Sequence, residues 1–207
     1  MGRLGVAAAS PILNIGSSTL DFRTREQPWI EQQLIEPLRQ AGGRIINIDI
    51  KAAPGVDLTA DISRPEDLER VAALGGRSAM LCNLLEHVED PAALLQCALR
   101  TVPVGGHLVI TVPRSYPYHR DPIDTLFRPT PDEVAALAPN ATMVDAAVLD
   151  TGYYWGKLKT RPWLILRPIL RFPFPMFGWT RWKRSMGKLY WLFRPYQHTA
   201  VVLRRDS

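Results

Sequence analysis

Short apolar runs alternate with segments of helical periodicity over the first 150 residues of the chain. The apolar runs predict buried strands, because the strands of a parallel sheet are covered on both faces and lack polar alternation. These runs span residues 11–16, 44–50, 78–85 and 107–112. Between them, a helical spacing of apolar residues covers 29–40, and sequences typical of helix N-termini begin at Ser63, Asp90 and Thr130.

This alternation predicts an α/β fold with a doubly wound, mainly parallel, Rossmann-like sheet. Two further strands are expected at 142–149 and 198–203, on either side of an insert of about residues 155–195. The chain therefore divides into a core over 1–150 and a C-terminal segment over 151–207. Ligands of such sheets bind at the carboxyl ends of the strands, so the residues that follow each strand are the candidates for chemistry.

The first two strands end in residues that suit a nucleoside ligand. Gly16-Ser17-Ser18 follows the first strand as a turn that a ligand can approach closely and that offers N–H and hydroxyl donors. The dinucleotide pattern G-x-G-x-x-G is absent. Asp49 ends the second strand, where a carboxylate can accept both hydroxyls of a ribose. An ordinary strand-end turn and a solvated aspartate are the structural alternatives.

Polar residues also follow later strands. Asp61-Ile62 is able to meet a purine through its carboxylate, or forms only a turn before the next helix. Asn83, Glu86 and His87 lie at the carboxyl end of the third apolar run. His87 is either a general base near neutral pH or a histidine that hydrogen-bonds a neighbouring loop.

A polar loop over 113–128 follows the 107–112 strand, at the place where substrates of such folds usually enter. In one interpretation His119, Asp121 and Asp124 line an acceptor site. In the other, the aspartates of the loop pair with Arg120 and Arg128. The spacing matches no strong metal-ligand pattern, so no metal site is predicted.

In chain order, the segments ILNIGSS, INIDI, ADI and NLLEHVEDP and the stretch VPVGGHLVITVPRSYPYHRDPIDTLFRPTPDEV form a recognisable set. They resemble class I S-adenosylmethionine-dependent methyltransferases, in particular the broad group with an LEHV and a GG-strand signature. The resemblance covers about residues 11–150 and is most specific over 83–134. It implies S-adenosylmethionine as the cofactor and transfer of its methyl group as the reaction.

The resemblance also implies roles for individual residues. The residues around the cofactor would be Asn14, Gly16, Ser17 and Ser18 at its methionine portion, Asp49 at the ribose, Ile50, Asp61 and Ile62 at the adenine, and Asn83 and Leu84 beside the sulfonium. His87 or His119 would serve as a base if the acceptor is a hydroxyl.

The first loop departs from the pattern of the family it resembles. The usual loop is acidic-x-Gly-x-Gly-x-Gly, whereas Asn14, Gly16, Ser18 and Leu20 stand at those places here. The acid is replaced by an amide, and two glycines are lost. The alternative function is therefore a non-catalytic, methyltransferase-like interaction protein whose C-terminal segment binds a membrane or nucleic acid.

Charge divides the chain at the same place as the resemblance. The formal net charge of +5 is the sum of −6 over residues 1–150 and +11 over 151–207. The C-terminal segment also holds 13 of the 18 aromatic residues. This asymmetry indicates a partner for the segment. The two cysteines suggest no disulfide framework, so a cytoplasmic location is expected, with association at the inner face of a membrane as an option.

The region 157–194 contains ten basic residues and no acid. Over 181–194 the apolar and aromatic residues fall on one arc of a helix, and basic residues cover most of the rest. Such a helix suits an anionic membrane surface and a lipid-linked acceptor. A lid packed over the cleft fits equally, and nucleic acid fits less well because the apolar stripe is continuous. The leading function is methyl transfer to a small-molecule or lipid-linked acceptor.

Overall fold

The computed structural model describes residues 5–118, 123–160, 163, 166 and 190–207. Within these ranges the chain forms one seven-stranded sheet with the order β3-β2-β1-β4-β5-β7-β6. The strands are β1 (Ile12–Ile15), β2 (Ile45–Asp49), β3 (Leu58–Thr59), β4 (Ser78–Cys82), β5 (His107–Ser115), β6 (Ala141–Gly152) and β7 (Tyr196–Arg205). β7 runs antiparallel to both of its neighbours, and the remaining pairs are parallel.

Helical segments connect the strands. They are α1 (Val6–Ala9), a π-helical turn (Phe22–Glu26), α2 (Pro28–Ile30), a second π-helical turn (Glu31–Ile35), α3 (Glu36–Gln40), α4 (Pro65–Ala72), a 3-10 turn (Leu85–His87), α5 (Pro91–Arg100), α6 (Pro131–Ala136) and α7 (Tyr154–Thr160). The expected mainly parallel α/β sheet is confirmed, and the two expected late strands form its antiparallel hairpin.

Two local expectations differ from the structure. The third apolar run continues to residue 85 in the sequence, but β4 ends at Cys82 because Asn83 adopts a left-handed φ of 52° and turns the chain. The capping box predicted at Ser63 is wrong, because Arg64 is the N-cap residue of α4. Ser63 instead donates its N–H and its hydroxyl to Asp61 Oδ1. The caps predicted at Asp90 and Thr130 are confirmed.

Both faces of the sheet are covered, which explains the unbroken apolar runs. Ile12 and Leu13 are adjacent in β1 and fully buried, yet they belong to different core clusters. Leu13 packs in the layer that holds α4, α5 and α6, and Ile12 packs with Ile35 and Leu38 on the opposite face. From β1, the strands β2 and β3 extend the sheet to one side, whereas β4 and β5 extend it to the other. The crevice between the carboxyl ends of β1 and β4, where these two directions meet, is therefore the expected place for a ligand.

An aromatic cluster joins the two ends of the insert to the sheet. Tyr154 of α7 and Tyr196 of β7 are buried together with Leu158 and Leu192. Tyr116, at the end of β5, lies against Tyr196 with ring centroids 5.0 Å apart. The insert therefore begins and ends at the same edge of the sheet as the predicted ligand crevice.

Gly76 tests the packing of this core. A Cβ at position 76 would lie 2.4 Å from Leu13 Cγ, and the Leu13 side chain is fully buried and has no room to move. We expect Gly76→Ala to lower the free energy of unfolding by about 1–3 kcal/mol, the range for an overpacked core. Urea unfolding followed by circular dichroism measures this. Gly156→Ala is the control, since its Cβ would meet nothing within 4 Å; equal unfolding curves for both variants would contradict the prediction.

Candidate functional site

The turn after β1 depends on close backbone approach. Gly16 has a φ of 73°, and a Cβ on it would lie 2.9 Å from Leu84 Cδ1. Ser18 also adopts a left-handed φ, of 55°. Gly16 and Leu84, which lie far apart in the sequence, are therefore in contact at the ends of β1 and β4. The left-handed φ favours glycine at position 16, and a Cβ there would also displace the end of the Leu84 side chain.

The backbone donors of this turn are already bonded to β2. The N–H groups of Gly16 and Ser17 donate to the carbonyl of Ile48, at 2.9 and 3.1 Å. The Ser18 N–H donates to Asp49 Oδ2 at 2.7 Å, and the Ser17 hydroxyl donates to the Ser18 carbonyl. The sequence suggested that these groups are available to a ligand. The structure instead uses them to fasten the turn to the neighbouring strand.

Asp49 is buried at the end of β2 and is 9% exposed. Its Oδ2 accepts the Ser18 N–H, and its Oδ1 accepts the Lys51 N–H at 3.0 Å. A carboxylate oxygen has two lone pairs, so each oxygen of Asp49 retains capacity for one further donor. The apolar side chain of Ile50, directly after Asp49, is 69% exposed. A fixed carboxylate beside an exposed apolar side chain suits a ligand that has hydroxyl groups next to an apolar ring.

Asn14 belongs to a polar network between β1 and β2. Its amide nitrogen donates to Asn47 Oδ1 at 3.0 Å, and it is buried. Asn47 in turn donates its N–H and its amide to Asp57 Oδ2, at 2.7 and 3.2 Å. Asp57 is the acidic member of this network. No motif surrounds Asp57 in the sequence, so only the fold reveals its connection to β1.

Asp61 and Ile62 have separate environments. Asp61 Oδ1 accepts the two Ser63 donors, and Asp61 Oδ2 lies 3.6 Å from Arg64 Nε. The side chain of Ile62 is buried in the main core beside α4. Asp61 therefore makes the turn that the sequence offered as an alternative, and Ile62 presents no side chain to a ligand.

Asn83 is exposed at the end of β4, beside the Gly16–Leu84 contact. Its N–H donates to the carbonyl of Thr111 on β5 at 2.8 Å, and the Thr111 hydroxyl lies 3.4 Å from Asn83 Oδ1. The structure thus brings Asn83 to the same carboxyl edge as Gly16 and Asp49. The expected grouping of strand-end residues follows from the parallel pairing of β1, β2, β4 and β5.

His87 connects the 3-10 turn to the segment 123–128. Its Nδ1–H donates to the carbonyl of Ile123, and its Nε2 lies 3.7 Å from Glu86 Oε1. Both ring nitrogens thus face protein groups, which is the loop contact that the sequence allowed beside a catalytic role. His119, the other predicted base, lies outside the described residues, as do residues 181–189 of the predicted amphipathic helix.

Glu86 is an acid that the sequence placed at the carboxyl end of a strand but did not predict to be buried. Its side chain is fully buried, and neither carboxylate oxygen has a hydrogen-bond partner among the described residues. Burial raises the pKa of Glu86 to about 7, against the opposing effects of His87 and Arg128, while Asp124 raises it further. Arg128 is itself paired with Asp124 at 2.7 Å. The position of Glu86 directly before His87 in the sequence does not indicate that its side chain is buried.

The segment 123–128 is held against the same turn by its backbone. The Thr125 N–H and hydroxyl both donate to the carbonyl of Glu86, at 2.9 and 3.1 Å. The end of β4, which carries Asn83 and Leu84, is thereby linked to the loop that follows β5.

Arg23 was not singled out in the sequence. It lies beside the turn after β1, where its guanidinium donates to backbone carbonyls.

Comparisons with known proteins identify the fold. No protein-family profile matches the chain, and no curated protein sequence is significantly similar to it. Among solved structures, the chain is similar to a SAM-dependent methyltransferase from Archaeoglobus fulgidus, with a TM-score of 0.52, 14% identity and coverage of 99% of this chain and 92% of that one.

Two further structures are similar to the same extent. The first is coclaurine N-methyltransferase bound to N-methylheliamine and S-adenosylhomocysteine, with a TM-score of 0.55, 13% identity and coverage of 94% of this chain and 65% of that one. The second is 1,6-didemethyltoxoflavin-N1-methyltransferase from Burkholderia thailandensis, with a TM-score of 0.53, 14% identity and coverage of 100% and 76%. At these identities the similarity establishes a Rossmann-like methyltransferase fold.

Glu86 predicts a pH dependence of stability. The raised pKa means that the folded protein keeps a proton on Glu86 between about pH 4.5 and 7, where the unfolded chain has lost it. Stability from this group is therefore fully present below pH 4.5 and is lost as the pH rises to 7. A shift of this size corresponds to on the order of 3 kcal/mol.

Glu86→Gln fixes the neutral form and isolates this effect. We expect the free energy of unfolding of Glu86→Gln, relative to the parent, to rise by about 3 kcal/mol between pH 5 and 8, measured by urea denaturation at each pH. Glu89→Gln is the matched control, because Glu89 is exposed. A difference between Glu86→Gln and the parent that stays constant with pH would show that Glu86 is ionised in the fold.

Proposed function

We propose that this protein is an S-adenosylmethionine-dependent methyltransferase that acts on a small-molecule acceptor. The observation that carries the proposal is the convergence of Gly16, Asp49, Asn83 and Leu84 at the carboxyl edge of the sheet. The strand order with a reversed β7, and the similarity to methyltransferase structures, support the same function.

The residues at this edge fit the proposed cofactor. Asp49 retains acceptor capacity for the two ribose hydroxyls, and the exposed side chain of Ile50 offers a surface for the adenine. Asp61 would bind the adenine amine with its remaining lone pairs. The backbone of Ile62, rather than its buried side chain, would lie at the adenine edge.

The other end of the cofactor would lie over the turn after β1. Gly16 has no Cβ, which allows close approach, and Ser17 and Ser18 continue the turn. Asn83 and Leu84 would flank the sulfonium. Leu84 packs against Gly16 in this structure, so its side chain must turn aside or form one wall of the site. Asn14 would act only indirectly, because its amide is bonded to Asn47.

The sulfonium of S-adenosylmethionine supplies a methyl group that is already activated for transfer. The protein then needs chiefly to align an acceptor with that methyl and to exclude water. An amine or carboxylate acceptor needs no strong base. For a hydroxyl acceptor, His119 is the better candidate of the two predicted bases, because the ring nitrogens of His87 face Ile123 and Glu86.

Calorimetric titration separates this function from the non-catalytic alternative. We expect S-adenosylmethionine and S-adenosylhomocysteine to bind the parent protein, and Asp49→Ala to weaken both by more than tenfold through loss of two charge-assisted hydrogen bonds. Asp145→Ala removes an equal charge from exposed β6 and should leave the affinity unchanged. Absence of binding to the parent at millimolar ligand would remove the enzyme proposal, and unchanged binding to Asp49→Ala would show that the cofactor site lies elsewhere.

We also propose that the segment 157–194 contacts an anionic membrane surface, where a lipid-linked molecule is the alternative acceptor. The supporting observation is a set of exposed aromatic side chains: Trp163, Tyr190 and Phe193 in this segment, and Tyr153 and Trp155 directly before it. Aromatic and basic side chains together favour the interface of an anionic bilayer. In the part of the chain that the structure describes, no helix has the length and apolarity needed to cross a membrane.

Vesicle co-sedimentation tests this partner. We expect binding to vesicles that contain phosphatidylglycerol, weakening at high salt, and a lower bound fraction for Trp163→Ala combined with Phe193→Ala. Trp29→Ala is the matched control, because Trp29 is 52% exposed and Trp163 is 58% exposed, but Trp29 lies in α2. No sedimentation at any salt would favour a lid over the cleft, and binding to oligonucleotides instead of vesicles would favour nucleic acid.

A further inference from the structure

Arg23 is a charged side chain that is buried to 2% exposure near the proposed cofactor site. It lies in the π-helical turn Phe22–Glu26 that follows the turn after β1. Its Nη1 donates to the carbonyls of Ser17 and Ser18, at 3.0 and 2.8 Å, and its Nη2 donates to the carbonyl of Gly55 at 2.8 Å. One guanidinium therefore joins the turn after β1 to the loop after β2.

The carboxylate of Glu31 lies near the buried guanidinium of Arg23 and balances its charge. Arg23 Nε lies 3.6 Å from Glu31 Oε2, and Glu31 Oε1 forms a 2.6 Å ion pair with Arg39. A buried guanidinium is costly to desolvate, and this cost is offset here by three carbonyls and one carboxylate. The planar fork of arginine matches this arrangement, whereas the single ammonium of lysine cannot reach the same three carbonyls at once.

These bonds fix the conformation of Ser18. A serine with a φ of 55° is in a region that residues other than glycine seldom adopt, and such a conformation persists only where surrounding contacts hold it. Arg23 holds the Ser18 carbonyl, and the Ser18 N–H holds Asp49 Oδ2. Arg23 thus acts through Ser18 on one of the two backbone donors to the Asp49 carboxylate, the other being the Lys51 N–H.

The loop after β2 approaches the guanidinium and the turn after β1 closely. Gly55 has a φ of 84°, and a Cβ on it would lie 2.6 Å from Leu20 Cβ and 2.8 Å from Arg23 Nη2. The Leu20 N–H also donates to the Pro54 carbonyl at 2.8 Å. Both loops therefore close around the guanidinium, and a side chain at 55 would push it out of place.

We propose that Arg23 is a positioning residue for the cofactor: it holds the turn after β1 in a shape that presents Asp49 to the ribose. The turn has serine at position 18 and leucine at position 20, and Arg23 restrains its conformation. Arg23 acts through Ser18 and Asp49 and does not touch the ligand. The inference rests on the proposed function, because it concerns the same cofactor.

Calorimetric titration of the full chain with S-adenosylhomocysteine tests this role. We expect Arg23→Lys to weaken binding about tenfold, although the charge is kept. Combined with Asp49→Ala, it should weaken binding no further than Asp49→Ala alone, because both changes remove the same interaction. A merely structural role would lower the unfolding midpoint in urea and leave the affinity of the folded protein unchanged.

Two variants make the result decisive. Arg39→Lys is the control, since Arg39 shares Glu31 with Arg23 but has no bond to the turn, and its affinity should match the parent. If Arg23→Lys does not fold, Gly55→Ala displaces the same guanidinium and is judged by the same two criteria. If Arg23→Lys binds S-adenosylhomocysteine as tightly as the parent, or if its loss of affinity adds to that of Asp49→Ala, the role of Arg23 is overturned and the proposed function is not affected. A parent that binds no S-adenosylhomocysteine overturns the proposed function as well.

Discussion

Burial of both faces of a parallel sheet is the constraint on which this structure depends. Strands β1, β2, β4 and β5 carry apolar side chains toward two helical layers, so polar groups are concentrated at the strand ends and in the few interstrand networks. Because the parallel strands point the same way, those ends meet at one edge. Asp49 and Asn83 lie at that edge because β2 and β4 both pair with β1.

The turn after β1 contains a single glycine and keeps its shape through hydrogen bonds. Its N–H groups are bonded to Ile48 and Asp49, and its carbonyls are bonded to Arg23. Polar groups on both sides of the turn are thus satisfied by the protein. A ligand at this place would be recognised by the shape of the turn and by the Asp49 carboxylate, with the backbone donors serving to fix that shape. The loss of glycines is therefore compatible with a rigid site.

The part of the crevice between the end of β4 and the segment after β5 has a different chemistry. A fully buried Glu86, the ring of His87 and the Arg128–Asp124 pair connect the end of β4 with the segment after β5. Farther along the same edge, Tyr116 and Tyr196 fasten the insert to the sheet. This part of the crevice is thus built from titratable groups and aromatic rings, whereas the turn after β1 is held by backbone bonds.

The sequence by itself determined six of the seven strands and their alternation with helices, the grouping of Gly16, Asp49, Asn83 and Leu84 at strand ends, and the caps at Asp90 and Thr130; the two-residue β3 was not predicted. These follow from local periodicity and from residue types at turns, which a short window of sequence contains. It also separated an acidic core from a basic, aromatic segment, because charge is additive along the chain.

Only the tertiary structure decided which groups at those strand ends remain available. The Ser18 N–H is consumed by Asp49, the side chain of Ile62 enters the core, and His87 bonds to Ile123. The burial of Arg23 and Glu86 was equally invisible, because both look like solvated charges in a local window. Each of these outcomes depends on a partner or a neighbouring layer that is distant in the sequence, and only folding brings such groups within hydrogen-bonding distance.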